Sequence, residues 1–167
     1  MSTRLPTPIT FRLPAGWSAV DPDQAGASQV AFVAIHPQDG DDGFTTNITI
    51  AAQPKRPESS MAEAAEVSVR ALARDADVSV MHRTEFGSDA APGLTQRLHL
   101  ATTVGGVRRD LVQVHFFVTL RDAADATKQA LLKIVLTSTE DQAPEAERDF
   151  ERFLATLRAA PRDRGAA

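Results

Sequence analysis

Residues 111–120 constrain the fold more than any other stretch of the chain. Their side chains alternate along an extended strand, which places five apolar residues on one side: Val112, Val114, Phe116, Val118 and Leu120. An unbroken apolar side that is rich in β-branched and aromatic residues is typical of a central strand. Strand-like stretches at residues 94–103 and 131–138 lie on either side of it in the sequence. We therefore predict an antiparallel meander around this strand.

The remaining patterns predict an α+β fold with an antiparallel sheet of about six to seven strands and two main helices, arranged as an α/β/α sandwich. Further strands are predicted at residues 9–13, 30–36, 45–53 and 77–86. Ser60 and Glu63 form a capping box that starts a helix reaching residue 74, and Pro144 suits the start of a closing helix. We predict one domain over residues 9–158, with flexible termini at 1–8 and 159–167.

The connection through Gly105 and Gly106 decides which side chains share a face of the sheet. A plain two-residue turn pairs Leu98 with Gln113 and mixes apolar and polar residues on both faces. One extra residue in a bulge near residues 105–108 pairs Leu98 with Val114 and gives a single apolar face. We predict the bulge.

The bulged register gathers polar and aromatic side chains on the second face of the meander. We predict that a protein partner binds there, to Arg97, His99, Gln113, His115, Phe117, Thr119 and Lys133. The alternative interpretation is a polar face that is partly covered by a helix or loop. A metal site would need a third ligand beside His99 and His115, so we predict no metal.

Composition narrows the functional classes. The net charge of −4 argues against a nucleic-acid surface, and the lack of cysteine excludes disulfides and thiolate chemistry. The first residues have no signal-peptide pattern, and no apolar run approaches the ~20 residues of a membrane span. No set of acids, histidines or serines has catalytic spacing. We therefore predict a cytoplasmic protein without membrane span, cofactor or enzymatic activity.

Short motifs in order along the chain resemble a known fold. They are the segment from Phe11 to Trp17, the asparagine-centred strand at residues 44–50, and the strands at residues 93–100 and 111–117. Together they resemble the PsbP-like fold, which includes the Ran-binding Mog-type proteins. They are most similar to the actinobacterial LpqN-like group, and they also resemble the DcrB-like and Eag-type chaperones associated with type VI secretion.

The resemblance implies a non-enzymatic adaptor or chaperone-like module that binds an unknown protein with one face of its sheet, a secretion-related protein being one candidate. LpqN-like members are commonly lipoproteins, whereas this sequence shows no lipobox cysteine. An alternative function is a small-ligand carrier or weak enzyme with a pocket between sheet and helix, lined by His99 and His115. Homo-oligomerisation through an exposed edge or face is a third hypothesis.

The acidic loop at residues 37–43 resembles the start of a calcium loop, but its later ligand positions do not match.

Overall fold

A computed structural model of the chain describes residues 9–37, 44–89, 91–121 and 128–159. Its elements in chain order are β1 (Ile9–Thr10), β2 (Ser18–Val20), β3 (Phe32–Ile35), β4 (Asn47–Lys55), α1 (Met61–Leu72), β5 (Asp77–Gly87), β6 (Pro92–Val104), β7 (Val107–Arg121), β8 (Gln129–Thr139), α2 (Ala143–Thr156) and β9 (Arg158–Ala159). The terminal segments 1–8 and 160–167 and the calcium-like loop at 38–43 lie outside the described residues.

Seven strands form one antiparallel sheet in the order β2-β3-β4-β8-β7-β6-β5. The predicted central strand is β7, and it pairs with β6 on one side and β8 on the other. The prediction of an α+β fold with an antiparallel sheet and two helices is therefore confirmed. Ser60 caps α1 as predicted, because its Oγ accepts a hydrogen bond of 3.1 Å from the Glu63 amide.

The two helices lie on opposite faces of the sheet and cover different halves of it. The buried side of α1 packs on Leu94 of β6 and Phe117 of β7. The phenylalanines of α2, Phe150 and Phe153, pack on β4 and β8 instead. Each face of the sheet is thus covered by a helix over one half only.

The predicted bulge between β6 and β7 is wrong. Gly105 and Gly106 both have positive φ, at 58° and 81°, as a two-residue type I′ turn requires. The turn fits the twist of the two strands without an extra residue, so Leu98 pairs with Gln113 and Leu100 with Leu111. The apolar side chains of β6 consequently face α1, whereas those of β7 at even positions face α2.

Side chains from distant parts of the sequence hold α2 against the sheet. The Trp17 indole Nε1 donates a 2.9 Å hydrogen bond to the Asp149 carboxylate, and the Thr46 hydroxyl donates one of 2.7 Å to the Gln142 side chain. Phe11 lies edge-on to Phe153 at 5.1 Å between ring centroids. Beside it, β1 and β9 pair in a two-stranded strap, with Ile9 opposite Ala159.

Candidate functional site

The seven side chains predicted to bind a partner do not share one surface. The plain turn puts Arg97 and His99 on the α2 side of the sheet, and it puts the other five on the α1 side: Gln113, His115, Phe117, Thr119 and Lys133. The prediction of a single surface depended on the bulge and is wrong for that reason. The role of these residues in partner binding stays a prediction.

On the α1 side, a chain of hydrogen bonds runs across four strands beneath the helix. Arg83 of β5 donates to the Gln96 side-chain oxygen at 2.9 and 3.1 Å and to Glu66 of α1 at 2.6 Å. Gln96 contacts His115 at 3.1 Å, and His115 contacts Gln113 at 2.8 Å. Gln113 then donates to the Thr137 hydroxyl of β8 at 3.2 Å. Gln96 and His115 are almost completely buried.

The direction of each bond in this chain follows from the arginine. A guanidinium only donates hydrogen bonds, so the Gln96 oxygen must face Arg83 and the Gln96 amide nitrogen must face His115. The imidazole Nδ1 therefore accepts, which leaves the proton on Nε2 to be donated to Gln113. This arrangement requires a neutral histidine.

Burial changes the proton affinity of two groups on this side. Burial, with a smaller contribution from the positive charge of Lys133, lowers the pKa of His115 from 6.5 to about 3. Burial also lowers the pKa of Lys133, whose ammonium lies 5.9 Å from the centroid of the Phe117 ring. These residues build a polar layer on the α1 side, in which Gln96 and His115 are buried while Gln113 and Lys133 stay partly exposed.

On the α2 side, the half of the sheet beyond the helix is open. We call the residues of β5, β6 and β7 on this side the open half-face: His82, Phe86, Thr95, Arg97, Val114 and Phe116. The rings of Phe86 and Phe116 stack with centroids 5.2 Å apart, and Phe86 keeps 40% of its surface exposed. Large apolar side chains in solvent contact are typical of interaction surfaces when they occur together.

The stack depends on a glycine. Gly93 lies opposite Phe86 in the β5–β6 ladder, and a Cβ at that position would lie 2.3 Å from the Phe86 ring. Only glycine lets the ring lie flat across β6 and reach Phe116 on β7.

A groove of about 310 Å³ separates the open half-face from α2. Its strand wall carries His82 and Arg97, and its helix wall carries Glu147, Glu151 and Leu154. The Arg97 guanidinium bridges to the Glu147 carboxylate at 2.6 Å across the groove. Val114 and Phe150 also line the groove, which thus combines apolar side chains with a basic residue on the strand wall and two acidic residues on the helix wall.

His99 lies on the same side of the sheet as the groove. Its Nε2 lies 2.8 Å from Glu140 and 3.6 Å from Asp110. Because His99 and His115 point to opposite faces, they cannot line the shared pocket predicted for a small-ligand carrier. In the described part of the chain, no group of three histidines or acids is placed to hold a metal ion.

Sequence reasoning missed Phe86 and Gly93 as site residues. The predicted strands ended at residue 86 and began again at residue 94, but β5 continues to Gly87 and β6 already begins at Pro92. An aromatic residue facing a glycine across a tight hairpin was the available signal.

In the described ranges, no helix is long and apolar enough to cross a membrane.

Comparisons with known proteins place the fold. No protein-family model and no curated protein sequence matches the chain. Among solved structures, it is similar to LpqN of Mycobacterium tuberculosis, a protein involved in cell envelope biogenesis, with 10% identity and a TM-score of 0.67 over 96% of this chain and 89% of that one.

Two further structures share the architecture. Cyanobacterial PsbP from Synechocystis is 16% identical with a TM-score of 0.57, over 91% of this chain and 86% of that one. PA94, a protein of unknown function from Pseudomonas aeruginosa, is 14% identical with a TM-score of 0.51, over 95% and 87%. The chain therefore has the PsbP-like fold expected from its motifs.

Proposed function

We propose that the protein is a non-catalytic accessory module that binds a polypeptide partner on the open half-face. The observation that carries the proposal is the Phe86–Phe116 stack, which presents an aromatic surface beside a charged groove. Aromatic side chains supply much of the binding energy at protein interfaces because they bury a large area with little loss of rotamer freedom.

The charges of the groove suggest what the partner segment contains. Arg97 is occupied by Glu147, whereas Glu151 is exposed and has no ion pair or hydrogen bond within the described residues. The chain as a whole carries a net charge of −4. We infer that the partner segment places an aromatic or branched apolar residue on Phe86 and a lysine or arginine near Glu151.

The similar structures support an accessory role at the level of fold. LpqN is described as involved in cell envelope biogenesis, and neither it nor cyanobacterial PsbP is described as an enzyme. His115, which has the most perturbed pKa of the described groups, is buried in the polar layer under α1 and does not line the groove beside α2. A cytoplasmic location stays a prediction, which fractionation of host cells would test.

Selection from a phage-displayed random peptide library tests the binding surface. We expect selected peptides to combine an apolar anchor with a basic residue. Their affinity, measured by fluorescence anisotropy, should fall at least about tenfold in Phe86→Ser, equivalent to ~1.4 kcal/mol. Glu151→Lys should weaken the same peptides, because it reverses the charge that faces their basic residue.

Val107→Ser provides the matched control. Val107 is 53% exposed in the β6–β7 hairpin, away from the groove, so the variant removes a similar exposed apolar group elsewhere. Peptides that bind Phe86→Ser as tightly as the unmodified protein would show that the open half-face is not the binding surface.

A further inference from the structure

Strand β5 is a long edge of the sheet. It contains 11 residues, and within the described residues no strand pairs with its outer side. The opposite edge strand, β2, has only three residues. A long edge strand offers unpaired N–H and C=O groups to another strand, so soluble proteins usually shorten it, charge it or cover it.

Exposed apolar side chains are concentrated on this edge. Three of the five large apolar residues that are exposed in the described chain belong to β5, namely Val80, Met81 and Phe86. The ladder to β6 is irregular between Val80 and His82, which leaves residues 82–87 as the longer of its two regular parts. A partner strand therefore has about six residues on which to pair.

The hydrogen-bonding phase of this edge can be read from the turn that follows it. Ser88 and Ala91 exchange both of their backbone hydrogen bonds, at 3.3 and 3.1 Å. In an antiparallel ladder, hydrogen-bonded pairs alternate with pairs that are not hydrogen-bonded. Counting back from Ser88 in steps of two, the backbone groups of Thr84 therefore bond to β6. The N–H and C=O groups of Arg83 and Glu85 consequently point outward.

We propose that the partner of this edge is a second copy of the same chain, with the two β5 strands pairing antiparallel about a two-fold axis at Thr84. In this register Arg83 of each copy lies opposite Glu85 of the other, and both residues present their outward backbone groups to each other. The two sheets then join into one. The inference does not depend on the proposed peptide-binding surface.

The charges select this register from its neighbours. An axis at Arg83 would place the two arginines opposite each other, and an axis at Glu85 would do the same for the two glutamates. Glu85 is exposed and has no ion pair among the described residues, whereas Arg83 already contacts Glu66. Self-association therefore gives Glu85 a cation and gives Arg83 a second carboxylate on the same side of the sheet.

A single cysteine tests the geometry, because the chain has no cysteine of its own. The two copies of Thr84 form a non-hydrogen-bonded pair on the axis, with Cα atoms about 4.5 Å apart, which a disulfide can span. We expect oxidised Thr84→Cys to become a covalent dimer. Ser79→Cys, an exposed position on the same strand but outside the paired segment, should not.

Charge exchange tests the register. By light scattering at micromolar concentration, the unmodified chain should have twice the mass of one copy, and Glu85→Arg and Arg83→Glu should each be monomeric. Mixing these two variants should restore a dimer, because the two arginines of one then face the two glutamates of the other. Asp77→Arg makes the same charge change as Glu85→Arg at the start of β5 and should stay dimeric.

Two results would overturn the proposal. One is an unmodified chain that remains monomeric in this range while Thr84→Cys cross-links no better than Ser79→Cys. The other is a dimer that Asp77→Arg and Glu85→Arg disrupt equally. Circular dichroism checks that each variant keeps its sheet, and the cysteine pair decides the question if Arg83→Glu does not fold.

Discussion

Gln96 shows at the scale of a single residue how a polar side chain is accommodated beneath α1. Its oxygen accepts from Arg83, while its nitrogen lies 3.3 Å from the Ala65 carbonyl and 3.1 Å from His115. A buried amide without hydrogen-bond partners would cost about 1–3 kcal/mol of folding free energy. Gln96 avoids this cost because both its oxygen and its nitrogen have partners.

His115 should make the stability of the protein sensitive to acid. The folded pKa of about 3 lies below the ordinary value of 6.5, so the unfolded chain binds more protons between these two values. The contribution is complete above pH 6.5 and is lost as the pH falls toward 3, at up to ~1.4 kcal/mol per pH unit. Protonation would also remove the acceptor that Gln96 uses.

Urea unfolding of His115→Gln measures this contribution. The neutral amide can take the place of the imidazole between Gln96 and Gln113, so the variant should lose less stability on acidification than the unmodified protein. Between about pH 7 and 4.5 the difference in unfolding free energy should change by about 2–3 kcal/mol in favour of the variant. His82→Gln removes an exposed histidine as the control, and an equal change there would contradict the assignment to His115.

At the scale of elements, α2 is held by its aromatic stripe. Phe150 and Phe153 are buried against Ile134 of β8, with Val114 and Phe116 at the border of the cluster. Replacing either phenylalanine by alanine should cost about 3–5 kcal/mol, which corresponds to a fall in Tm of roughly 6–20 °C for a chain of this size.

His99→Ala is the comparison for these two variants. The His99 side chain is 30% exposed, and its contact with the Glu140 carboxylate at the surface is worth at most ~1 kcal/mol, so Tm should fall by at most about 2–4 °C. Thermal melts of Phe150→Ala, Phe153→Ala and His99→Ala compare the buried core under α2 with the partly exposed position of His99. Equal losses would mean that the α2 side is closed at His99 as well as under the helix.

The sequence was a better guide to the positions of the helices and strands than to which faces of the strands lie together. Alternation located β7 and β8, and apolar residues spaced three or four apart located both helices, because each of these elements has one side that is buried. The three residues of β2, after Trp17, were too short for such a pattern and were missed. Residue 159, predicted as part of a flexible tail, pairs with Ile9.

The error in the candidate surface came from one assumption about the sheet. A single apolar face was expected, and Gly105–Gly106 was therefore given a bulge. The two helices cover opposite faces of the sheet at opposite halves. The sheet therefore needs apolar residues on one face at β5 and β6, under α1, and on the other face at β4 and β8, under α2. Periodicity within one strand contains no information about this change, because it arises from where the helices lie.

At the scale of the whole molecule, coverage of the sheet falls from its centre to the β5 edge. All but three residues of β8 are buried, whereas nine of the 11 residues of β5 are exposed. Strands with few buried contacts open more easily than the core. We expect amide hydrogen exchange to be slowest in β8 and fastest, among the long strands, in β5.

Amide hydrogen exchange measured at two protein concentrations distinguishes the difference in burial between β8 and β5 from protection caused by self-association. If copies pair at the β5 edge, the outward amides of Arg83 and Glu85 should become protected at high concentration, while those of β8 should not change. Uniform protection of β5 at high dilution would contradict the predicted gradient.

The strap formed by β1 and β9 also determines how the molecule responds to mechanical force. Its two strands are antiparallel, and the chain continues from Ile9 in one direction and from Ala159 in the other at the same end of the pair. Tension between the two ends of the chain therefore acts across the strap and peels it open, rather than sliding its strands past each other. We expect the load then to reach the residues beside the strap, among them Ile9, Phe11 and Leu157, which pack against the same core cluster as Phe153 of α2.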